Sequence, residues 1–453
     1  MRYILLLILT VFIINACTRV DDLRYGEKRS AVLYTSQRAS SNPGAVRLKT
    51  GEITVVFREA SDATSPDGYL LRITSENRGK TWSPPDTIAS TAWDCRAPSI
   101  TQLRDGLIYV NFHQSSNDPQ REGVPSIGCF TVRSFDNGKT FTSPRMVPLE
   151  GFRWTATSDA ILELQDGTLL FPAYGERDGE LSIAFVVMSR NGGETWEDIH
   201  VIAQEPEERL AYTKPALIRL PDGRILCLLE SDDPEGFLYM SVSEDRGETW
   251  SSLEKSGIVG KDPDLLITPD GTLLCVFQDF WPEGVSCVRS YDWGQTWEKE
   301  TTLLAVKSAD PSPCIVGLED RLLVAYTCEN PDEHGGATDI GGTFFIIDRP
   351  ATPGGFTVSY KRDEGVHLRW NAEVQAAYYM IYRDTVETFE PLPGYPFGGN
   401  GLASSVATWY TDVQVDKGRT YYYRVSAVAG TGRLLPGTGN ESLPTDVVGV
   451  DIR

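Results

Sequence analysis

Ser75-Glu-Asn-Arg-Gly-Lys-Thr-Trp82 is an octapeptide that this chain repeats with small changes along its length. The other copies are Ser134-Phe-Asp-Asn-Gly-Lys-Thr-Phe141, Ser189-Arg-Asn-Gly-Gly-Glu-Thr-Trp196, Ser243-Glu-Asp-Arg-Gly-Glu-Thr-Trp250 and Ser290-Tyr-Asp-Trp-Gly-Gln-Thr-Trp297. Their glycines stand at 79, 138, 193, 247 and 294, a period in the range that marks propeller blades. Each copy reads as a hairpin turn. Asp or Asn bonds its own backbone, Gly supplies a positive φ, and the closing aromatic anchors the turn in apolar packing.

A second hairpin interleaves with the first. Its clearest copy is Lys214-Pro-Ala-Leu-Ile-Arg-Leu-Pro-Asp-Gly-Arg-Ile-Leu-Cys-Leu-Leu-Glu230, two apolar strands about a tight turn. Equivalent turns fall at Thr50-Gly51, Asp105-Gly106, Asp166-Gly167, Asp222-Gly223, Asp270-Gly271 and Asp320-Arg321. Together the hairpins predict an all-β fold: a six-bladed β-propeller over residues 31–349, whose last blade is completed by the strand Ala31 to Ser36. From Ala351 the texture changes. Val366-His-Leu-Arg-Trp370, Tyr378-Tyr-Met-Ile-Tyr-Arg383 and Gly418-Arg-Thr-Tyr-Tyr-Tyr-Arg-Val-Ser-Ala427 alternate at strand period, predicting a small β-sandwich over 350–453 behind a Pro353-Gly-Gly linker.

Composition excludes several classes. The 453 residues carry 42 Lys+Arg against 63 Asp+Glu, a formal net charge of −21, which argues against nucleic acid or an anionic membrane surface as a partner. Hydrophobic residues at 41% and charged ones at 23% describe a globular chain, neither disordered nor collagen-like.

Residues 1–17 begin with Arg2, run apolar from Ile4 to Ile14, and end in Ala16-Cys17. The run is too short to span a bilayer and reads as an export signal. Ala16 directly before Cys17 resembles a bacterial lipobox. That resemblance implies lipidation of Cys17, a tether over 18–30, and an outer-membrane or cell-surface lipoprotein of a Gram-negative bacterium, held to the membrane only by lipid. Cys95, Cys129, Cys227, Cys275, Cys287, Cys314 and Cys328 remain, mostly inside apolar runs. No CxxC or His pair suggests a metal, and a Cys275–Cys287 bridge stays open.

The octapeptides resemble the Asp-boxes (BNR repeats) of the sialidase, or neuraminidase, superfamily, and their order with the inner hairpins looks like its six-bladed propeller. In that family the Asp-boxes lie on the rim, away from the active site, so the resemblance assigns them a structural role. The C-terminal segment resembles a fibronectin type III sandwich, with Trp370 in the core and Tyr421 or Tyr423 at the corner.

The functional mouth of a propeller is formed by the starts of innermost strands and the ends of second strands. Those positions supply Asp159, Glu230, Asp262 and Asp310 as candidate acids and bases, and Arg58, Arg96, Lys214, His113 and Tyr212 as candidate sugar-binding groups. Carboxylates facing one another across a mouth suit glycoside hydrolysis, which needs an acid and a base or nucleophile. Resemblance to the sialidases implies an arginine triad, a loop Asp as acid/base and a Tyr nucleophile. Arg58 matches the second arginine position, Asp62 resembles the acid/base, and Asp67 is the fallback. Blade one opens Ser40-Ser-Asn-Pro43 where the family has an arginine, leaving Arg38 as the substitute, and no tyrosine stands near Asp310.

Two readings follow. One is an exo-acting, sialidase-like glycoside hydrolase on sialic acid or another acidic sugar, with Arg58, Arg96 and Lys214 clamping the sugar's charge. The alternative is a non-catalytic glycan-binding surface lipoprotein. Either is expected to be a monomer whose partner is a glycan or glycoconjugate, with no cofactor, no metal and no nucleic acid.

Overall fold

The computed structural model describes residues 28–453 except 117–125, 205–209, 269–270, 282, 299–300, 306–309, 319–320, 330–336, 346–351, 374–375, 377, 390–400, 429–441 and 443. The expected export signal and the lipidation residue Cys17 lie outside the described residues. Every helix or strand assigned within them is a β-strand.

Successive antiparallel hairpins build sheets whose strands follow chain order. Sheet one holds Ala39–Arg47, Ile53–Ala60, Tyr69–Ser75 and Asp86–Ala89; sheet two holds Asp94–Gln102, Ile108–Ser115, Gly128–Ser134 and Arg145–Met146. Sheet three has its inner strand split into Trp154–Ala156 and Leu162–Glu163, followed by Leu169–Glu176, Ile183–Ser189 and Glu197–Ala203. Sheets four and five begin at Tyr212–Arg219 and Lys261–Ile267 and repeat the four-stranded pattern. Sheet six holds Cys314–Gly317, Leu322–Glu329 and Thr338–Phe345. The strand expected at 31–36 runs Lys28–Tyr34 and pairs antiparallel with Thr338–Phe345, which also bridges sheet one through Ala39 and Thr338. The arrangement is β-propeller-like.

Burial on both faces explains why these strands read as continuous apolar runs. All eight residues of Ile53–Ala60 are buried. Because side chains alternate across a strand, Val55 and Phe57 enter a core shared with Leu323 and Phe344 of sheet six, while Val56 enters one shared with Val110 and Phe112 of sheet two. Four further clusters fill the remaining gaps between consecutive sheets.

The same alternation decides the Cys275–Cys287 question against a bridge. Cys275 pairs with Val288 and Cys287 with Val276, so the two thiols point to opposite faces of sheet five and lie in different cores. All seven described cysteines are free.

The octapeptides share one hydrogen-bond scheme. In the first, Ser75 Oγ donates to Asn77 Oδ1 at 3.0 Å and accepts the Gly79 N–H at 2.8 Å, while the Thr81 N–H donates to Asn77 Oδ1 at 2.9 Å. Gly79 has φ 83°, and a Cβ there would stand 2.4 Å from the Phe344 ring of sheet six. Glycine thus allows both the turn and its close approach to the neighbouring sheet.

Beyond residue 352 lie a three-stranded sheet, Thr357–Lys361, Gly365–Arg369 and Trp409–Asp412, and a four-stranded one, Gly401–Ser405, Tyr378–Asp384, Thr420–Val428 and Val448–Asp451. They share a core containing Trp370 and Tyr379, with ring centroids 5.3 Å apart. Tyr423 is buried and its hydroxyl donates to Asp412 at 2.8 Å.

Candidate functional site

A residue before proline is restricted, and proline itself offers no N–H to the ladder. The inner strands of four sheets contain such a pair, Asn42-Pro43, Ala97-Pro98, Lys214-Pro215 and Asp262-Pro263, and Ser312-Pro313 directly precedes that of sheet six. The residue before each proline has positive φ, between 38° and 53°, and the register shifts there in sheets one, two, four and five. A bulge of this kind re-aims a side chain. Ser158-Asp159 takes the same place in sheet three, where the strand is interrupted. These six positions, one per sheet, line a single cavity of about 340 Å³.

One end of the cavity is polar. The Lys214 ammonium contacts the Asp262 carboxylate and stands 3.2 Å from Glu230 Oε1, which also accepts the Asp262 N–H. Ser312 Oγ donates to Asp310 Oδ1 at 2.7 Å, lies 3.5 Å from Asp262 Oδ2, and accepts from Asn42 Nδ2 at 2.9 Å. Asp262 and Asp310 are therefore bridged by one hydroxyl.

This clustering shifts the titrating groups. Burial, then the neighbouring Asp262 charge, raises both Glu230 and Asp310 above the usual carboxylate range. Burial opposes a charged Lys214, yet the Asp262 and Glu230 carboxylates hold its pKa well above that of an ordinary lysine. His113 is pushed down to about 4 by burial and is neutral at pH 7. Its Nδ1 lies 3.1 Å from the Thr157 carbonyl, which can only accept, so Nδ1 carries the proton and Nε2 is the basic nitrogen. Tyr174, also in the cavity wall, is raised by burial.

Two further carboxylates in the lining strap neighbouring sheets together. Asp159 accepts the Ala160 N–H and, across to sheet four, the Leu217 N–H, both at 2.7 Å. Asp264 does the same between sheets five and six, accepting Leu265 N–H at 2.8 Å and Ile315 N–H at 2.7 Å. Burial raises both, and Asp264 reaches about 6.

Of the expected site residues, the structure brings Arg96, His113, Asp159, Lys214, Asp262 and Asp310 to this cavity, with Glu230 bonded behind Lys214. Three lie elsewhere. Arg58 is 1% exposed, its Nε 2.8 Å from Asp94 Oδ1 and its Nη2 donating to the Ser65 carbonyl at 2.7 Å. Asp94 also pairs with Arg96, so this buried carboxylate ties Arg58 into the wall between sheets one and two. Asp62 is exposed and caps its own turn, drawn down to about 2 by bonds from Ser65 and Thr64. Tyr212 faces the core between sheets three and four, its ring 5.7 Å from Tyr239. The alternatives Arg38 and Asp67 pair with each other at 2.8 Å, near Glu59.

Asn42, Tyr174, Asp264 and Ser312 also line the cavity. The recurring residue-before-proline was the sequence signal for Asn42 and Ser312, and Asp264 directly follows one such pair. Among the described residues no group of three or more His, Cys, Asp or Glu is placed to hold a metal ion.

Residues 94–277 match the BNR repeat-like domain family. No curated protein matches the chain. Among solved structures it resembles a protein of unknown function from Dyadobacter fermentans, at 23% identity and TM-score 0.65 over 72% of this chain and 99% of that one. It also resembles the Hadza microbial sialidase Hz136, at 17% identity and TM-score 0.55 over 68% and 66% of the two chains. Penicillium chrysogenum alpha-L-arabinanase, complexed with arabinobiose, matches at 14% identity and TM-score 0.56 over 70% and 97%. At these identities the likeness shows a shared fold, the β-propeller on which those glycosidases are built.

Proposed function

We propose that the protein is an exo-acting glycoside hydrolase of the sialidase superfamily, on a six-bladed propeller over 31–349 with a fibronectin type III-like domain over 350–453. Six inter-sheet cores, the last joining sheet six to sheet one, support the ring. The observation that carries the reaction is the bridging of Asp262 and Asp310 by Ser312 in a cavity shared with Lys214.

Asp310, whose raised pKa keeps a proton available, is the general acid. Asp262, with the Lys214 ammonium against it, is the carboxylate placed to attack the anomeric carbon. Attack breaks the glycosidic C–O bond while the Asp310 proton passes to the leaving oxygen; water, deprotonated by Asp310, then releases the sugar. One hydroxyl between two carboxyl groups is a close spacing, which favours retention over a route that needs about 6.5–9.5 Å for an intervening water. Lys214 is matched by Asp262 and Glu230, and Arg96 shares Asp94 with Arg58, so both cavity cations are already engaged, which favours a neutral sugar over an acidic one.

The test is sugar release from a glycan panel by the chain lacking residues 1–17. Asp310→Asn is expected to lower kcat at least about 100-fold with the fold intact. Turnover within twofold of wild type removes the assignment. The non-catalytic reading is favoured by the same ion pairs, which already satisfy the polar groups; saturable glycan binding without product would establish it. We further place the chain on a Gram-negative surface through lipidated Cys17, which metabolic labelling with palmitate, lost in Cys17→Ala, would test.

A further inference from the structure

On the mouth side of sheets four and five lies a second cleft, of about 600 Å³, between the turn 232–236 and the end of the strand Leu273–Phe280. Trp281 stands at its rim, 90% exposed, the most exposed large apolar side chain among the described residues. The indole does not stand singly: Val259, 39% exposed, and Phe280 line the same cleft, so an apolar patch faces solvent there, and the backbone beneath Trp281 is hydrogen-bonded. The Trp281 backbone N–H donates to Asp279 at 2.9 Å; Asp279 is 4% exposed and also accepts from Ser286 Oγ at 2.8 Å. Phe280 pairs directly with Glu283 across the hairpin.

The opposite wall is equally fixed. Asp233 accepts from the Tyr239 hydroxyl and the Glu235 N–H, each at 2.8 Å, and pairs with Lys255 at 2.9 Å. Glu230 joins the two cavities: it lines this cleft, while its Oε1 meets Lys214 and the Asp262 N–H on the other side.

We propose that this cleft is a second saccharide subsite, in which a neutral sugar unit lays its C–H face on Trp281 and extends over Glu230 from the unit held in the central cavity. The inference rests on the hydrolase reading for its second sugar, not for its binding. An exposed aromatic face beside carboxylates that can accept from hydroxyls suits an amphipathic pyranose or furanose ring. Four carboxylates, Glu230, Asp232, Asp233 and Glu235, meet three lysines, Lys214, Lys255 and Lys261, leaving a small negative excess that disfavours carboxylated or sulfated units.

Indole N–H resonances of the ¹⁵N-labelled chain lacking residues 1–17 provide the test, with Trp281 assigned by its loss in Trp281→Phe. The probes are arabinotriose, cellotriose, maltotriose, lactose and their monosaccharides. At least one neutral oligosaccharide is expected to shift the Trp281 signal saturably, and more than its monosaccharide does. Trp281→Ala is expected to weaken that oligosaccharide about tenfold and to reduce its preference over the monosaccharide. Saturable shifts without turnover keep the subsite and remove the hydrolase. Turnover of an oligosaccharide with the Trp281 signal unmoved, or no shift with any probe, overturns the subsite.

Discussion

Asp264 shows what a buried carboxylate does to a protein's pH response. Its pKa is raised to about 6 in the fold and returns to about 3.9 when unfolded, so the native state binds the extra proton between those values. Its stabilising contribution is full below pH 4 and is lost as pH rises through 6, on the order of 3 kcal/mol. Urea midpoints measured from pH 4 to 8 are expected to fall with pH in wild type and to fall less steeply in Asp264→Asn, where Asp159, Glu230 and Asp310 still titrate; equal slopes would remove this account. Lys214 behaves differently. Lys214→Met leaves Glu230 and Asp262 facing each other without a cation and is expected to cost about 3 kcal/mol, readable in the same urea series. Residue identities at the mouth were readable from chain position, as Lys214, Asp262 and Asp310 illustrate. What satisfies each side chain was not. Arg58 ends the strand where a sugar-binding arginine was expected, but its partner Asp94 comes from the next sheet, and nothing local announces that pairing. Tyr212 likewise starts an inner strand, and its direction depends on register with Ser231.

At the level of elements, the octapeptide turn carries both conformational and packing demands. Gly79→Ala adds a Cβ 2.4 Å from the Phe344 ring at φ 83°, whereas Gly106→Ala, at φ 98° in an inner hairpin, meets nothing within 4 Å. Both should pay the left-handed strain of about 1 kcal/mol, and Gly79→Ala a further 1–3 kcal/mol or so for the clash. Paired thermal melts check the difference; equal shifts would mean the turn is not held against sheet six. Hairpins were legible because Asp-Gly and the octapeptide each fix a local turn. The inner-strand bulges were less so: proline signalled a strand opening, but not that the preceding residue turns into a shared cavity. Sheet three shows the limit, since Asp159 occupies the proline's place and uses its carboxylate to strap Leu217 of the adjoining sheet.

Across the whole molecule, the six buried cysteines are distributed one to each inter-sheet core: Cys314, Cys95, Cys129, Cys227, Cys275 and Cys287, running from the junction of sheets six and one around to that of sheets five and six. A thiol reagent on the native chain lacking residues 1–17 is expected to label Cys328 first, the one thiol that is only partly buried, but slowly because burial pushes its pKa up to about 11, and all seven after denaturation. Fast labelling of several native thiols would show the sheets to be open. The pairing of Lys28–Tyr34 with Thr338–Phe345 joins the earliest described strand to a partner more than 300 residues later. Each hairpin can form as soon as it is synthesised, but this seam waits for nearly the whole propeller, a slow, long-range closure. Until then the cores flanking the seam stay accessible, and an oxidant could reach thiols that the completed sheets keep apart. In any oxidising medium, the interval between synthesis and the pairing of this seam is the period in which the chain is most easily spoiled.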